Sequence, residues 1–237
     1  MASLIPTQII QMHILNIYSK HFPPGGVTLG MPAPSTKSRL LTAAVGIFAE
    51  KGYRDATVAE VCEAAGANIA SVNYHFGSKE NLFRHVLRKA FKRSEEEFPL
   101  DGGLSSDAPG ERRLHAFMSG MIRRNFDPGP AGDFNRIMIH QGTREFAPDE
   151  LVVAEVGELQ GVILGSILHQ LLGKIPKAIL AQAKLNIVAL CVFPSLAHRV
   201  RAHIFPTEMS PEKLSEFIDR QHAFALAGIA TFASANP

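Results

Sequence analysis

The stretch TVAEVCEAAGANIASVNYHFGSK, residues 57–79, decides the fold. Thr57 stands three positions before Glu60, the pattern of a capping box at a helix start. Val58, Val61, Cys62 and Ala65 follow at helical spacing and make one apolar face. Gly66 closes that helix, since glycine takes the left-handed conformation without strain. Asn68 is the next N-cap, and the helix it opens ends near Phe76-Gly77. Ser78 caps another, with Lys79 and Glu80 in its first turn. Two short helices joined by Gly66-Ala67-Asn68 form a helix-turn-helix.

The second helix of such a pair can lie in the major groove of DNA with its N-terminal part at base edges. With Val72 facing inward, a helical wheel puts Asn68 and Phe76 beside it, on the buried side. Ala70 and Tyr74 then face outward, flanked by Ser71 and Asn73, while Ile69 and His75 sit at the edges. That outward face is small and hydrogen-bonding. Small residues allow close approach to a duplex, and asparagine pairs bidentately with adenine. The helix N-termini at Thr57 and Ser78 offer free N–H groups to phosphates, and Lys79 adds a positive charge. A lysine in a first turn is disfavoured by the helix dipole, which points to an anionic partner.

The pattern extends on both sides. Upstream, Leu40, Leu41, Ala44, Val45, Ile47 and Phe48 form an apolar stripe that Gly52 stops. Downstream, Leu82, Phe83, Val86, Leu87, Ala90 and Phe91 face inward on a helix reaching about Phe98. Beyond a loop at 99–110, helical patterns cover 111–126, 133–146, 148–173, 176–205 and 211–233. No long stretch alternates with period two. The expected fold is all-α with about nine helices: a three-helix helix-turn-helix domain followed by a helical C-terminal domain. Residues 1–34 read either as a flexible arm or as sequence upstream of a true start at Met31; 35–98 and 99–237 are the two expected domains.

Composition agrees. The chain has 237 residues, 46% apolar and 19% charged, enough for a sizeable core. Cys62 and Cys191 are the two cysteines, which excludes a disulfide-dense scaffold and suits a reducing, cytoplasmic setting. No run of about eighteen apolar residues occurs, so no membrane span is expected. The net charge of +2 is unevenly spread. Between Lys37 and Arg93, ten Lys and Arg stand against five Asp and Glu; from Pro99 onward, thirteen stand against fourteen. The imbalance reads either as one surface that meets an anion beside one that does not, or as chance variation in solvated surface charge. Paired zinc-ligand spacings, a Gly-x-Ser-x-Gly elbow and a phosphate-cradling glycine loop are missing, so neither enzyme chemistry, a metal site nor a cofactor is expected.

The string Ala43-Ala44-x3-Phe48-Ala49-Glu50-Lys51-Gly52-Tyr53-x3-Thr57-Val58-x2-Val61-x2-Ala64-Ala65-Gly66-Ala67-x5-Asn73-Tyr74-His75-Phe76-x-Ser78-Lys79-Glu80-x-Leu82-Phe83 resembles the DNA-binding domain of the tetracycline-repressor-like (TetR) regulators. Ala67 to Glu80 resembles the CecR-type branch in particular. The family commonly has tyrosine where Asn73 stands and proline where Gly77 stands, so its operator sequences do not transfer. The resemblance implies that Thr57 and Lys79 anchor phosphates, and that Asn68, Ile69, Ala70, Ser71, Asn73, Tyr74 and His75 lie on or beside the recognition helix. It also implies double-stranded operator DNA, a small-molecule effector and a homodimer built from the helices at about 176–205 and 211–233. Those two segments are apolar on more than one stripe, as helices with more than one partner are. Met121, Arg124, Met138, Gln141 and His169 are candidates for the effector pocket, beside the plainer reading of each as a core or solvated residue. The implied function is a ligand-released repressor; the alternative is a helical small-molecule-binding or interaction protein whose DNA-reading surface has decayed.

Overall fold

Each helix of the N-terminal part starts at a polar cap, and the first three stop at a glycine or an extended residue. A computed structural model describes residues 34–143, 160–197 and 209–234. Among the described residues there are nine α-helices, one short 3-10 turn and no strand. Helix α1 is Thr36–Asp55, α2 Val58–Ala65, α3 Ile69–Phe76 and α4 Lys79–Glu97. Helix α5 is Gly110–Phe126, α6 Asp133–Thr143, α7 Val162–Leu172, α8 Lys177–Leu196 and α9 Pro211–Ser234. The expected helix over 148–173 falls partly outside these residues, as do the ends of those expected over 133–146 and 176–205, and the segment 1–33 lies wholly outside them.

The caps do the local work. Ser35 Oγ accepts the Ser38 N–H, Thr57 and Glu60 form a complete capping box, Asn68 Oδ1 accepts the Ser71 N–H, and Ser78 Oγ accepts the Asn81 N–H. Each satisfies an orphan donor of a first turn. Gly66 ends α2 at φ 59°, a left-handed conformation other residues adopt with strain. Gly52 interrupts α1 at φ 76°, so the regular helix stops where the sequence indicates and a further turn runs on to Asp55. A second constraint acts there: a Cβ at Gly52 would stand 3.0 Å from His140 Cβ on α6.

Leu40, Ala44, Val45 and Phe48 of α1, Val61 and Cys62 of α2, Val72 and Phe76 of α3, and Leu82, Phe83, Val86 and Leu87 of α4 share one core. Leu41 and Ile47, expected in the α1 stripe, are half-buried at its margin. The Phe83 ring meets Phe48 and Tyr53 edge-on at centroid distances of 5.2 and 4.9 Å. That geometry suits the aromatic quadrupole.

In the C-terminal half, α5 is the central post. Its Leu114, Phe117, Met118, Met121 and Ile122 are buried, and α6, α7, α8 and α9 pack around it. Residues 35–237 cluster as one unit, and α1 packs directly on α6 across the expected 98/99 boundary. Helix α8 is long and apolar enough to cross a membrane by length and composition. Ala183, Ile187 and Cys191 on its inner face are nevertheless buried against neighbouring helices. Leu185 and Phe193 on its outer face are exposed.

Candidate nucleic-acid interface and effector cavity

Helix α3 is anchored by two side chains and shows the rest to solvent. Val72 and Phe76 are buried, whereas Tyr74 is 86% and Ile69 55% exposed. Ala70 and Asn73 are also exposed, and Ser71 and His75 are half-buried flanks. The Tyr74 ring meets that of His75 edge-on at 5.0 Å. The wheel misplaces Asn68, which is exposed. As an N-cap it has extended backbone, φ −98° and ψ 163°, so helical angles do not describe where it points. Its Oδ1 accepts from both the N–H and the hydroxyl of Ser71.

The two expected phosphate anchors sit on either side of α3 in chain order. Thr57 Oγ1 donates to Glu60 Oε2 and accepts the Glu60 N–H, while Lys51 Nζ lies 2.6 Å from Glu60 Oε1. Lys79 is not a freely solvated lysine. Its Nζ stands 4.7 Å from the Tyr53 ring centroid and donates to the Arg54 carbonyl at 3.4 Å. Partial burial lowers its pKa, opposed by the charges of Asp55 and Glu60. The ammonium is thus held at the α4 N-terminus with donor capacity to spare. Lys37 and Arg39, to which only the basic excess in the sequence points, stand beside α3, Arg39 with Asn68 and Ser71 around one shallow depression. Lys37 Nζ is 5.8 Å from the Phe76 ring centroid, and Arg39 Nε donates to the Ala65 carbonyl at the end of α2.

The Glu60 carboxyl is held at about 2, chiefly by its hydrogen bond from Lys51 and then by those from Thr57. A carboxylate whose pKa is depressed on folding stabilises above its unfolded value and loses that stabilisation as pH falls through the folded one. The difference in melting temperature between wild type and Glu60→Gln is therefore expected to be full at neutral pH, to shrink as pH falls through the ordinary carboxylate range and to be lost only below about pH 2. Calorimetric scans across that range read it; a difference that persists at the acid end contradicts it.

The effector-pocket candidates separate. Met121 and Met138 line a cavity of 270 Å³ between α5, α6 and α8. Arg124 does not line it. Its guanidinium is fully buried on the other side, with Nε and Nη2 donating to the Phe98 carbonyl at 2.8 and 2.6 Å, and Nη2 also to the Glu95 carboxylate. It caps the C-terminal end of α4, where an orphan carbonyl attracts a cation. His169 is exposed on α7, its ring 3.3 Å from the Gly173 carbonyl, and is likewise outside the cavity. The Gln141 side chain lies outside the described residues. Asn135, unmarked in the sequence, does line the cavity. Among the described residues no cluster of three His, Cys, Asp or Glu stands ready to hold a metal ion.

Residues 40–86 match the family model for bacterial regulatory proteins of the tetR family. The chain is 28% identical over 113 residues to the HTH-type transcriptional regulator SrpR of Pseudomonas putida, covering 48% of this chain and 50% of that one. It is 37% identical over 76 residues to the HTH-type transcriptional repressor AcnR of Corynebacterium glutamicum, covering 32% and 40%. The chain thus spans half or less of the length of these two relatives. A crystal structure of a transcriptional regulator from Rhodococcus sp. Rha1 superimposes with a TM-score of 0.55 at 22% identity, over 82% of this chain and 97% of that one. The fold is the all-helical TetR-like one, and residues 40–86 carry the tetR-family helix-turn-helix.

Proposed function

We propose that this chain is a cytoplasmic, ligand-responsive transcriptional repressor that binds palindromic operator DNA as a homodimer. One observation carries the reading: α3 buries Val72 and Phe76 and presents Ala70, Asn73 and Tyr74 as a small, hydrogen-bonding, exposed face. A solvent helix with no partner gains nothing from an aromatic ring left almost wholly exposed; a helix that enters a major groove does. Lys79 and the N-termini of α2 and α4 are the phosphate contacts in this reading, with Thr57 acting through the α2 cap. The string from Ala67 to Glu80 supports placement in the CecR-type branch.

The dimer rests on α8 and α9. Leu185, Phe193 and Phe224 are 69%, 65% and 68% exposed, and an open apolar groove of 530 Å³ runs between the two helices. A contiguous apolar face of this kind marks an interface. Twofold pairing of α8 and α9 sets two copies of α3 on half-sites about 34–36 Å apart.

Release by ligand has a physical route through α6. Phe134, Asn135 and Met138 face the 270 Å³ cavity, and the same helix packs on α1. Phe134 also meets Phe91 of α4 edge-on at 5.2 Å. A molecule wedged between α5, α6 and α8 shifts α6 against both α1 and α4. It releases DNA to the extent that it binds the shifted state better.

Mobility shift on the DNA upstream of the chain's own gene, at two salt concentrations, tests the proposal. Wild type is expected to bind specifically and to weaken with salt. Asn73→Ala is expected to cost about 1–3 kcal/mol in discrimination between sequences. Lys79→Ala is expected to weaken all sequences alike and to reduce the salt slope by about 1. Variants that bind like wild type at both salts contradict the assignment of the reading face.

A further inference from the structure

We infer that the operator half-site is read through A·T pairs: thymine methyl groups by Ile69 and Ala70, and an adenine by the Asn73 amide. The inference rests on the reading of α3 as the helix that enters the major groove, and names the base chemistry that helix takes.

The exposed face of α3 is defined by what its other residues do. Val72 and Phe76 are buried anchors. Asn68 and Ser71 are turned to each other, the Asn68 Oδ1 accepting both the N–H and the hydroxyl of Ser71 at 2.9 Å. His75 is half-buried at the flank, its ring edge-on to that of Phe76 at 6.3 Å. Ile69, Ala70, Asn73 and Tyr74 remain, all exposed.

Two of these four are aliphatic. Ile69 is 55% exposed at the first position of the helix. A β-branched side chain is not a strong helix former, so neither propensity nor burial explains it there. In the major groove the thymine C5-methyl is the apolar group that a base pair presents. Ile69 and Ala70 supply apolar surface for it and have no side-chain hydrogen bond to offer any base. Asn73 stands one turn further along, on the same ridge as Ile69. Its amide holds a donor and an acceptor side by side, which match N7 and N6 of adenine. Four helical residues rise about 6 Å, so that adenine lies about two base-pair steps from the thymine under Ile69.

Guanine has no such reader. Its commonest specific contact is a bidentate Arg or Lys on O6 and N7. No Arg or Lys stands between Arg54 and Lys79, so α2 and α3 carry none. Beside them, Arg39 Nε donates to the Ala65 carbonyl at 3.0 Å, and Lys79 Nζ is seated over Tyr53 at the start of α4. The Tyr74 hydroxyl both donates and accepts, so alone it favours neither kind of pair. The basic residues thus position the duplex through its phosphates, and sequence is left to methyl groups and one amide.

Selection from random duplexes with the full chain, followed by base analogues in the enriched duplex, tests this. The half-site is expected to hold thymine and adenine about two steps apart. Deoxyuridine removes only the thymine methyl, and at the position facing Ile69 it is expected to weaken wild type about fourfold. In Ile69→Ala that position is expected to lose its effect. An adenine analogue lacking the N7 acceptor, 7-deazaadenine, is expected to weaken wild type roughly threefold to tenfold at one position, and Asn73→Ala not at all there. The corresponding 7-deazaguanine, at every guanine of the half-site, is expected to leave wild-type affinity unchanged. The analogue effects are read on the wild-type protein, so a variant that fails to fold cannot produce them. Weakening by 7-deazaguanine overturns the inference while DNA reading by α3 stands. So does a half-site with no thymine whose methyl matters, or none whose effect is lost in Ile69→Ala. Enrichment of no sequence overturns the inference together with the DNA reading beneath it.

Discussion

Ala70→Glu is expected to abolish specific DNA binding while leaving the fold intact. Ala70 is exposed on α3, on the face opposite the buried Val72. Glutamate is a good helix former, so the helix itself loses little. In the proposed complex, however, the new carboxylate enters the major groove against phosphates and base acceptors. Like-charge juxtaposition of that kind costs several kcal/mol, which is on the order of a hundredfold or more in affinity. Fluorescence anisotropy on a bound duplex reads the loss, and a thermal melt reads the fold. An unchanged melt with unchanged affinity removes α3 from the groove.

The second large effect concerns stability. Arg124→Met is expected to destabilise the chain by about 3–5 kcal/mol, the usual cost of breaking a buried ion pair by removing one partner. In a chain of this size that corresponds to a fall in melting temperature of roughly 6–20 °C. The reason is local. Arg124 supplies the donors that satisfy the Phe98 carbonyl, pairs with Glu95 and stacks its guanidinium 5.3 Å from the Phe91 ring centroid. Methionine keeps the aliphatic volume and loses every donor. Glu95→Gln is expected to cost less, since Glu95 is partly exposed and an amide oxygen still accepts. Were Arg124 an effector contact, the methionine variant would melt close to wild type and lose ligand binding instead.

Arg124 also shows where the sequence stops being legible. Its partner Glu95 lies 29 positions away, and its carbonyl partner 26. Nothing local marks a helical arginine as buried, and the pairing depends on how α5 crosses the end of α4. The caps are the opposite case. Thr57, Asn68 and Ser78 each bond a backbone N–H three residues on, so one short window of sequence contains both partners. Helix starts and the helix-turn-helix are therefore readable, as are the inward residues of α4, whose period is regular.

The reading face shows both outcomes in one helix. Val72, Phe76, Ala70, Asn73 and Tyr74 fall where a wheel puts them, because all five have helical backbone. Asn68 does not, because a cap residue lies outside the helix it starts. Lys79 was readable as a charge near an N-terminus. Its seat over Tyr53 was not, since that ring lies beyond a break in α1. In the cavity, Met121 and Met138 are recoverable as apolar helix positions, but Asn135 is not. Whether a polar residue on α6 faces solvent, a partner or an empty space is decided by three helices at once.

The central claim is that α3, presented by a twofold pair of chains, reads DNA sequence. Selection from random duplexes with the full-length protein, followed by the measured stoichiometry on the enriched duplex, tests it most directly. The account predicts an inverted repeat with half-site centres about 34–36 Å apart, two chains per repeat, and no enrichment by Ala70→Glu. Enrichment of no sequence by wild type, or of the same sequence by wild type and Ala70→Glu, would contradict it.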